Sequence, residues 1–134
     1  MLIREDLLKI DEAVHDIIAR GDDLSVYYAD VDSEIISACF DVGVPQSDIP
    51  LDGEGYVVSQ RLQRLGKFYG LFRINKGYCG IGNGDNDDIY SDWEDYKADY
   101  EAELAKLTAE SITGGAPTDT PTIEQNIRQT SFVI

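Results

Sequence analysis

Apolar residues recur three and four positions apart in four stretches of this chain, a spacing that places them on one face of an α-helix. The first stretch covers about Arg4–Ala19 and ends before Gly21. The second covers about Ser25–Val42 and ends before Gly43. Glycine is a common residue just past a helix C-terminus, so both stretches are predicted to be helices that stop at these glycines.

The third stretch, about Tyr56–Ile74, is apolar on a broad face and is expected to be the most buried helix. Gly66 and Gly70 lie four apart on it, a spacing that would permit a close helix approach but is weak evidence in water. Its basic residues lie mainly off the apolar face and are candidates for pairing with acidic side chains, within the subunit or across an interface. They are Arg61, Arg64, Lys67 and Arg73.

A fourth helix is predicted from Ser91 onward, because Ser91 and Glu94 match a capping box. Its apolar stripe consists of Trp93, Tyr96, Tyr100, Leu104 and Leu107. Aromatic side chains at these positions suit either base stacking or core packing. The continuation of the stripe into leucines, together with the acid on the same helix, favours core packing.

A glycine-rich segment, Asn75–Asp88, separates the third and fourth helices and is long for a loop in a compact domain. A phosphate-binding loop would need a Gly-Lys-Ser/Thr sequence at its end, whereas here acidic and amide residues follow the glycines. The cluster Asp85–Asp88 supplies oxygen ligands for calcium, but Ile89 interrupts the EF-hand spacing. A solvated loop is the preferred interpretation, and no metal or cofactor is predicted.

The C-terminal segment differs from the rest of the chain. Thr113–Pro121 combines glycines and prolines typical of a helix stop and an extended linker, and Thr122–Ile134 is almost neutral with an apolar tip. Such a tip is expected to bury itself, either on its own domain or on another chain. We predict docking on another chain, through the anchors Ile123, Ile127, Phe132, Val133 and Ile134.

These patterns together predict an all-α fold: a small bundle of about four helices, a long loop before the last helix, and an extended C-terminal arm. The chain has 134 residues, 43% of them hydrophobic, which is enough for one domain with a core. Residues 1–112 are assigned to the helical domain and residues 113–134 to the linker and arm. No apolar run is long enough to span a membrane, and no secretory signal is expected.

The net charge of −15 opposes any contact with nucleic-acid phosphates. The acid either solvates helix faces or lines a surface that nucleic acid must pass without binding. The fourth helix and the segment before it carry more than half of the net negative charge. Their candidate residues for a channel or inter-protein face are Asp85, Asp87, Asp88, Asp92, Asp95, Asp99 and Glu103.

Residues that could support catalysis are scarce. Cys39 and Cys79 suit two free thiols in a reducing compartment, and His15 has no serine or cysteine nucleophile motif beside it. A surface position is expected for this single histidine. The sequence therefore gives no case for an enzyme.

Four segments carry a resemblance to a known family: Tyr28–Cys39, the proline-containing turn Val44–Leu51, Val57–Tyr69 and Tyr96–Leu107. Their order resembles that of the head–tail adaptor, or head-completion, proteins of tailed bacteriophages, over roughly Asp22–Ile112. The long glycine- and asparagine-containing loop and the very acidic last helix depart from the compact members of that family.

The resemblance implies a non-enzymatic structural protein of the phage neck, assembled in the host cytoplasm and located in the virion. Such adaptors form a ring, commonly of twelve subunits, beneath the portal protein. The ring extends the channel through which duplex DNA passes and presents a surface to the next neck or tail protein. An acidic channel wall, which does not bind phosphate, fits that role.

Two other hypotheses remain open from the sequence. A small acidic protein can imitate DNA and inhibit a host nucleic-acid-binding protein, although the apolar arm then has no evident use. A bacterial regulatory domain with a peptide-like tail is a third hypothesis. Oligomerisation with the portal protein separates the adaptor from a DNA mimic, which would stay small and bind a basic protein in a salt-sensitive way.

Overall fold

The described part of the chain, residues 1–79 and 92–114 of the computed structural model, folds into five α-helices and two short 3-10 helices. The α-helices are α1 (Glu12–Ala19), α2 (Ser25–Asp41), α3 (Gln60–Tyr78), α4 (Trp93–Ala105) and α5 (Ala109–Thr113). The 3-10 helices span Glu5–Ile10 and Gln46–Asp48. The predicted all-α class is confirmed. The predicted loop before the last helix and the C-terminal arm lie largely in residues 80–91 and 115–134, outside the described residues.

Helix α3 is the centre of the bundle, because it packs against α2, α4, α5, α1 and the first 3-10 helix. Its fully buried side chains include Leu62, Leu65, Leu71 and Ile74. It contacts both α2 and α4, which explains why its apolar surface is too broad for a single stripe. The prediction that this helix is deeply buried is confirmed.

Gly66 and Gly70, two of the three glycines of α3, lie where the helix approaches other elements closely. A Cβ atom added to Gly66 would lie 3.0 Å from side-chain atoms of Ile3 and Ile35. A Cβ atom added to Gly70 would lie 2.9 Å from Leu8 and 3.3 Å from Val31. The four-residue spacing therefore does allow a close approach of α3 to α2 and to the N-terminal segment.

The predicted first helix is interrupted at Asp11. Residues before it form a 3-10 helix, and α1 starts after it, because the Asp11 carboxylate accepts a hydrogen bond from the Val14 backbone N–H at 3.0 Å. A side chain that satisfies one of the free N–H groups at a helix start favours a new helix at that point. The ends of α1 and α2 are as predicted, with Gly21 and Gly43 in the left-handed backbone region at φ 83° and 91°.

Helix α3 begins four residues later than predicted. Ser59 caps it by accepting a hydrogen bond from the Leu62 N–H, while the Val57 N–H donates to the Leu2 carbonyl. Val58, which lies within the predicted third helix, precedes the observed helix and is 48% exposed. Phe40, an apolar residue of α2, is also exposed.

The predicted fourth helix is two helices. Helix α4 ends at Ala105, and α5 starts at Ala109 with a reciprocal capping box between Thr108 and Ser111. The predicted capping residue Ser91 lies outside the described residues, and Asp92 is the N-cap of α4. Among the helices that the structure describes, none has the length and hydropathy of a membrane span.

We predict that Gly70→Ala lowers the free energy of unfolding by about 1 kcal/mol. Alanine in place of glycine gains roughly 1 kcal/mol of helix propensity, but crowding a filled core costs roughly 1–3 kcal/mol. Urea unfolding followed by circular dichroism measures the difference. Ser37→Ala, at an exposed position of α2, is the control and should leave stability equal or slightly higher. A Gly70→Ala protein more stable than wild type would contradict the close approach.

Candidate functional site

Helix α4 lies antiparallel on α3, and an aromatic cluster joins the two. The Trp93 and Phe72 ring centroids are 6.0 Å apart at one end, and those of Tyr100 and Tyr69 are 5.0 Å apart near the middle. Aromatic pairs at such separations add to the stabilisation gained from burial. The interpretation of this stripe as core packing agrees with these contacts.

At the other end of α4, a buried carboxylate holds two arginines. Glu103 is 3% exposed, and its two oxygens accept hydrogen bonds from Arg61 at 2.7 Å and from Arg64 at 3.1 Å. Burial alone would raise the pKa of Glu103, but the hydrogen bonds and charges of the two guanidinium groups outweigh it and place the pKa below its ordinary value. Glu103 is therefore charged at neutral pH and fixes the register of α4 on α3.

An open cavity of about 690 Å³ surrounds this cluster. Three basic side chains and one carboxylate line it, namely Arg61, Arg64, Lys106 and Glu103. Helix α5 and Val58 contribute to its walls, and the Ser59 hydroxyl donates to the Ser111 carbonyl at 2.7 Å. In a chain of net charge −15, this concave surface has a local excess of positive charge.

The first half of α4 has the opposite charge. Asp92, Asp95 and Asp99 are exposed and lie three and four positions apart, on one side of the helix. No residue within 1–79 or 92–114 forms an ion pair with any of the three. This acidic row is about 10 Å long.

Two tyrosines of α4 place hydroxyl groups on carboxylates of other helices. Tyr96 donates to Asp11 at 2.7 Å, and Tyr100 donates to Glu34 of α2. Burial, followed by the bond to a carboxylate, raises the pKa of both phenols above the ordinary value. Both tyrosines therefore stay protonated at physiological pH, and each donates a hydrogen bond to a half-buried carboxylate.

Two further cavities open on the described surface. One, of about 510 Å³, has no charged residue in its lining, which includes Leu2, Ile49 and Leu51. The other, of about 390 Å³, is strongly acidic and lies at the start of α4 beside the exposed Ile10. Its carboxylates are Asp11, Glu12, Asp16 and Asp92.

The predicted site residues have different outcomes. Asp92, Asp95 and Asp99 are exposed on one side of α4, whereas Glu103, predicted for the same exposed face, is buried between two arginines. That prediction is wrong for Glu103, because the position faces α3. Asp85, Asp87 and Asp88 lie outside the described residues, as do the arm anchors Ile123, Ile127, Phe132, Val133 and Ile134.

Spacing alone indicates that position 103 lies in the seam between α4 and α3. Residues 93, 96, 100, 103 and 107 follow a regular alternation of three and four, the period of a helix seam. Leu104, which belongs to the predicted apolar stripe, is 37% exposed. The predicted pairing of the α3 arginines is confirmed within the subunit, with Arg73 bonded to Asp30 at 3.0 Å in addition to the Glu103 cluster.

Other chemistry-bearing residues of the described part are isolated from one another. Cys39 is buried, and burial raises the pKa of its thiol to about 11. His15 is exposed beside Asp16, as predicted. Within residues 1–79 and 92–114, no group of three or more histidine, cysteine, aspartate or glutamate side chains has the arrangement of a metal site.

Comparison of the chain with protein-family models, with curated proteins and with solved structures gives no match.

We predict that Glu103→Gln lowers the free energy of unfolding at pH 7 by about 1–3 kcal/mol. A neutral amide keeps the shape but leaves two guanidinium groups without their carboxylate, and both are open enough to solvent to recover part of that loss. Because the pKa of Glu103 is lowered by folding, its contribution is present above the ordinary glutamate pKa. The contribution is lost as the pH falls through the folded-state value.

Urea unfolding at a series of pH values, with Trp93 fluorescence as the signal, measures this effect. The difference between wild type and Glu103→Gln should shrink below about pH 4. Glu101→Gln, an exposed change on the same helix, is the matched control and should stay within about 0.5 kcal/mol of wild type. Equal stability of all three proteins at pH 7 would refute the role of Glu103.

Proposed function

We propose that this protein is a structural adaptor of a tailed-phage neck, a ring-forming subunit that attaches to the portal protein and extends the DNA channel. Its binding to the portal is assigned to the arm Thr122–Ile134. It acts without a cofactor, and its partners are the portal, other copies of itself and the next neck or tail protein. The proposal rests on the resemblance of the helical segments and on the distribution of charge over the described surface.

The observation that carries the proposal is that the described arginines are paired within the subunit, whereas a row of carboxylates on α4 is not. Each of the five arginines in residues 1–79 and 92–114 forms an ion pair within the subunit. The acidic row Asp92, Asp95 and Asp99 has no such partner. Free carboxylates on α4 repel phosphate. Such a surface suits a wall that duplex DNA passes without being held.

The exposed apolar residues support contact with other proteins. Val26 and Phe40 on α2 are 77% and 71% exposed, and the uncharged cavity beside Leu51 offers a third apolar surface. Single exposed apolar side chains are ordinary on a monomer. These side chains lie on an acidic protein, which repels other copies of itself and other acidic proteins. Apolar contacts must therefore supply the attraction between them.

A DNA mimic remains the second candidate, because it too would expose unpaired carboxylates. Such a protein must present acid over a length comparable with its target's DNA contact. The acidic row on the described part of α4 is about 10 Å long, and Glu103, which would extend it, is buried. This length favours the adaptor over the mimic.

We predict that deleting Thr122–Ile134 leaves the helical content unchanged and abolishes joining to the portal ring. The deletion removes the five apolar anchors but none of the core residues described above. The full chain and the truncated chain would each be mixed with the portal protein encoded in the same genome. Native mass spectrometry and negative-stain electron microscopy would then show whether a ring is added to the portal.

A pair of full-length variants controls for the loss of chain length. Changing Ile123, Ile127, Phe132, Val133 and Ile134 to serine should act like the deletion. Changing Thr122, Gln125 and Gln129 to serine should not. A truncated protein that still joins the portal would refute the role of the arm. A full chain that does not bind the portal protein but inhibits a host DNA-binding protein in a salt-sensitive way would favour the DNA mimic.

A further inference from the structure

The charge of the side chains on one side of α4 changes from negative to positive along the helix. Asp92, Asp95, Asp99, Glu103 and Lys106 follow one another at spacings of three, four, four and three, so they lie along a single flank of the helix. We name this set, together with Arg61 and Arg64, the α4 flank. Its first half consists of exposed carboxylates without an ion-pair partner in the described part of the chain.

The second half of the α4 flank is basic because Arg61, Arg64 and Lys106 outnumber its single carboxylate, the buried Glu103. Its two oxygens hold Arg61 and Arg64, whose side chains are 32% and 54% exposed. Lys106 lies beside them on the cavity of about 690 Å³ and forms no ion pair with any described residue. One carboxylate therefore holds two arginines in place and leaves the local charge positive.

A flank that is acidic at one end and basic at the other is complementary to a second copy of itself turned antiparallel. In that arrangement the acidic half of each copy meets the basic half of the other. Each attractive contact then occurs twice, as at any two-fold interface. The two halves together extend for about 21 Å, from Asp92 to Lys106.

We infer that two free subunits of this protein pair through the α4 flank around a two-fold axis. Asp95 and Asp99 of one copy then face the basic cavity of the other, near Lys106 and Arg64. This inference goes beyond the proposed function, since the contacts of a closed ring join different surfaces of neighbouring subunits.

The net charge of −15 opposes this pairing only at long range. At about 0.1 M salt the screening length is about 10 Å, so most of the charge on one copy is screened from the other, whereas groups in contact are not. Exposed ion pairs are individually weak. The pair is therefore expected to form at high protein concentration and to dissociate on dilution or at about 1 M salt.

The test uses the full chain and reverses charge without touching the Glu103 cluster. In Asp95→Lys/Asp99→Lys, the acidic half becomes basic. In the matched control Glu94→Lys/Glu101→Lys, the same change of net charge falls on the other side of α4. Both pairs are exposed, and each includes one residue of the first helical turn, so any loss of helix stability is similar.

Sedimentation equilibrium over about 10 µM to 1 mM protein measures self-association. We expect the Asp95→Lys/Asp99→Lys protein to associate at least about tenfold more weakly than wild type, because four contacts of a two-fold pair change sign. The control should associate as well as wild type or better. Lys106→Glu should also weaken pairing, and a mixture of Lys106→Glu with Asp95→Lys/Asp99→Lys should form a mixed pair more readily than either variant alone.

Equal weakening in the α4-flank variant and the control would overturn the inference, as would a wild-type chain that stays monomeric at about 1 mM. A wild-type chain that forms rings of many copies alone would also overturn the two-fold pair, while supporting the proposed function. Joining to the portal does not enter this measurement. Failure of the pair and failure of the adaptor role are thus observed separately.

Discussion

The contact between Glu103 and the two arginines at the start of α3 sets the register on which the other features of the site depend. It ties the end of α4 to the beginning of α3, so that the aromatic rings of Trp93, Phe72 and Tyr100 meet along the rest of the interface. It also turns the end of α4 from acidic to basic. A salt bridge of this kind contributes little net stability compared with apolar packing of the same volume, but losing one partner is costly. Its main contribution is therefore to specificity of packing.

Tyrosine hydroxyl groups allow the helices of this acidic chain to pack closely, because they donate hydrogen bonds to carboxylates. Tyr28 donates to Glu5, Tyr78 to Asp22, Tyr96 to Asp11 and Tyr100 to Glu34. In each case an aromatic ring packs at the edge of the core while its hydroxyl group satisfies a carboxylate from another element. A phenol supplies a hydrogen bond without adding a charge. The bundle can thus keep its carboxylates at helix junctions without needing a basic residue for each.

The sequence predicts the helices well and their ends less well. Apolar periodicity finds all the long helices, and Gly21 and Gly43 end α1 and α2 where expected. The predicted helix starts are wrong where a polar side chain accepts a hydrogen bond from a backbone N–H of the first turn. Such N-caps start helices inside a continuous apolar pattern at Asp11, Ser59 and Thr108. Glu103 was misplaced for a related reason. Its burial depends on two arginines about forty residues earlier in the sequence, and a pattern that counts only apolar residues does not include them.

Net charge alone cannot select a partner for this protein. All five described arginines are bonded to carboxylates of their own subunit, so the remaining acid is distributed over a surface that repels phosphate and acidic proteins alike. Recognition must therefore come from places where that repulsion is locally absent. The uncharged cavity beside Leu51 and the basic cavity beside Lys106 are such places. A partner that fits either one gains its affinity from contact at that cavity, and the acid elsewhere excludes competitors that lack the fit.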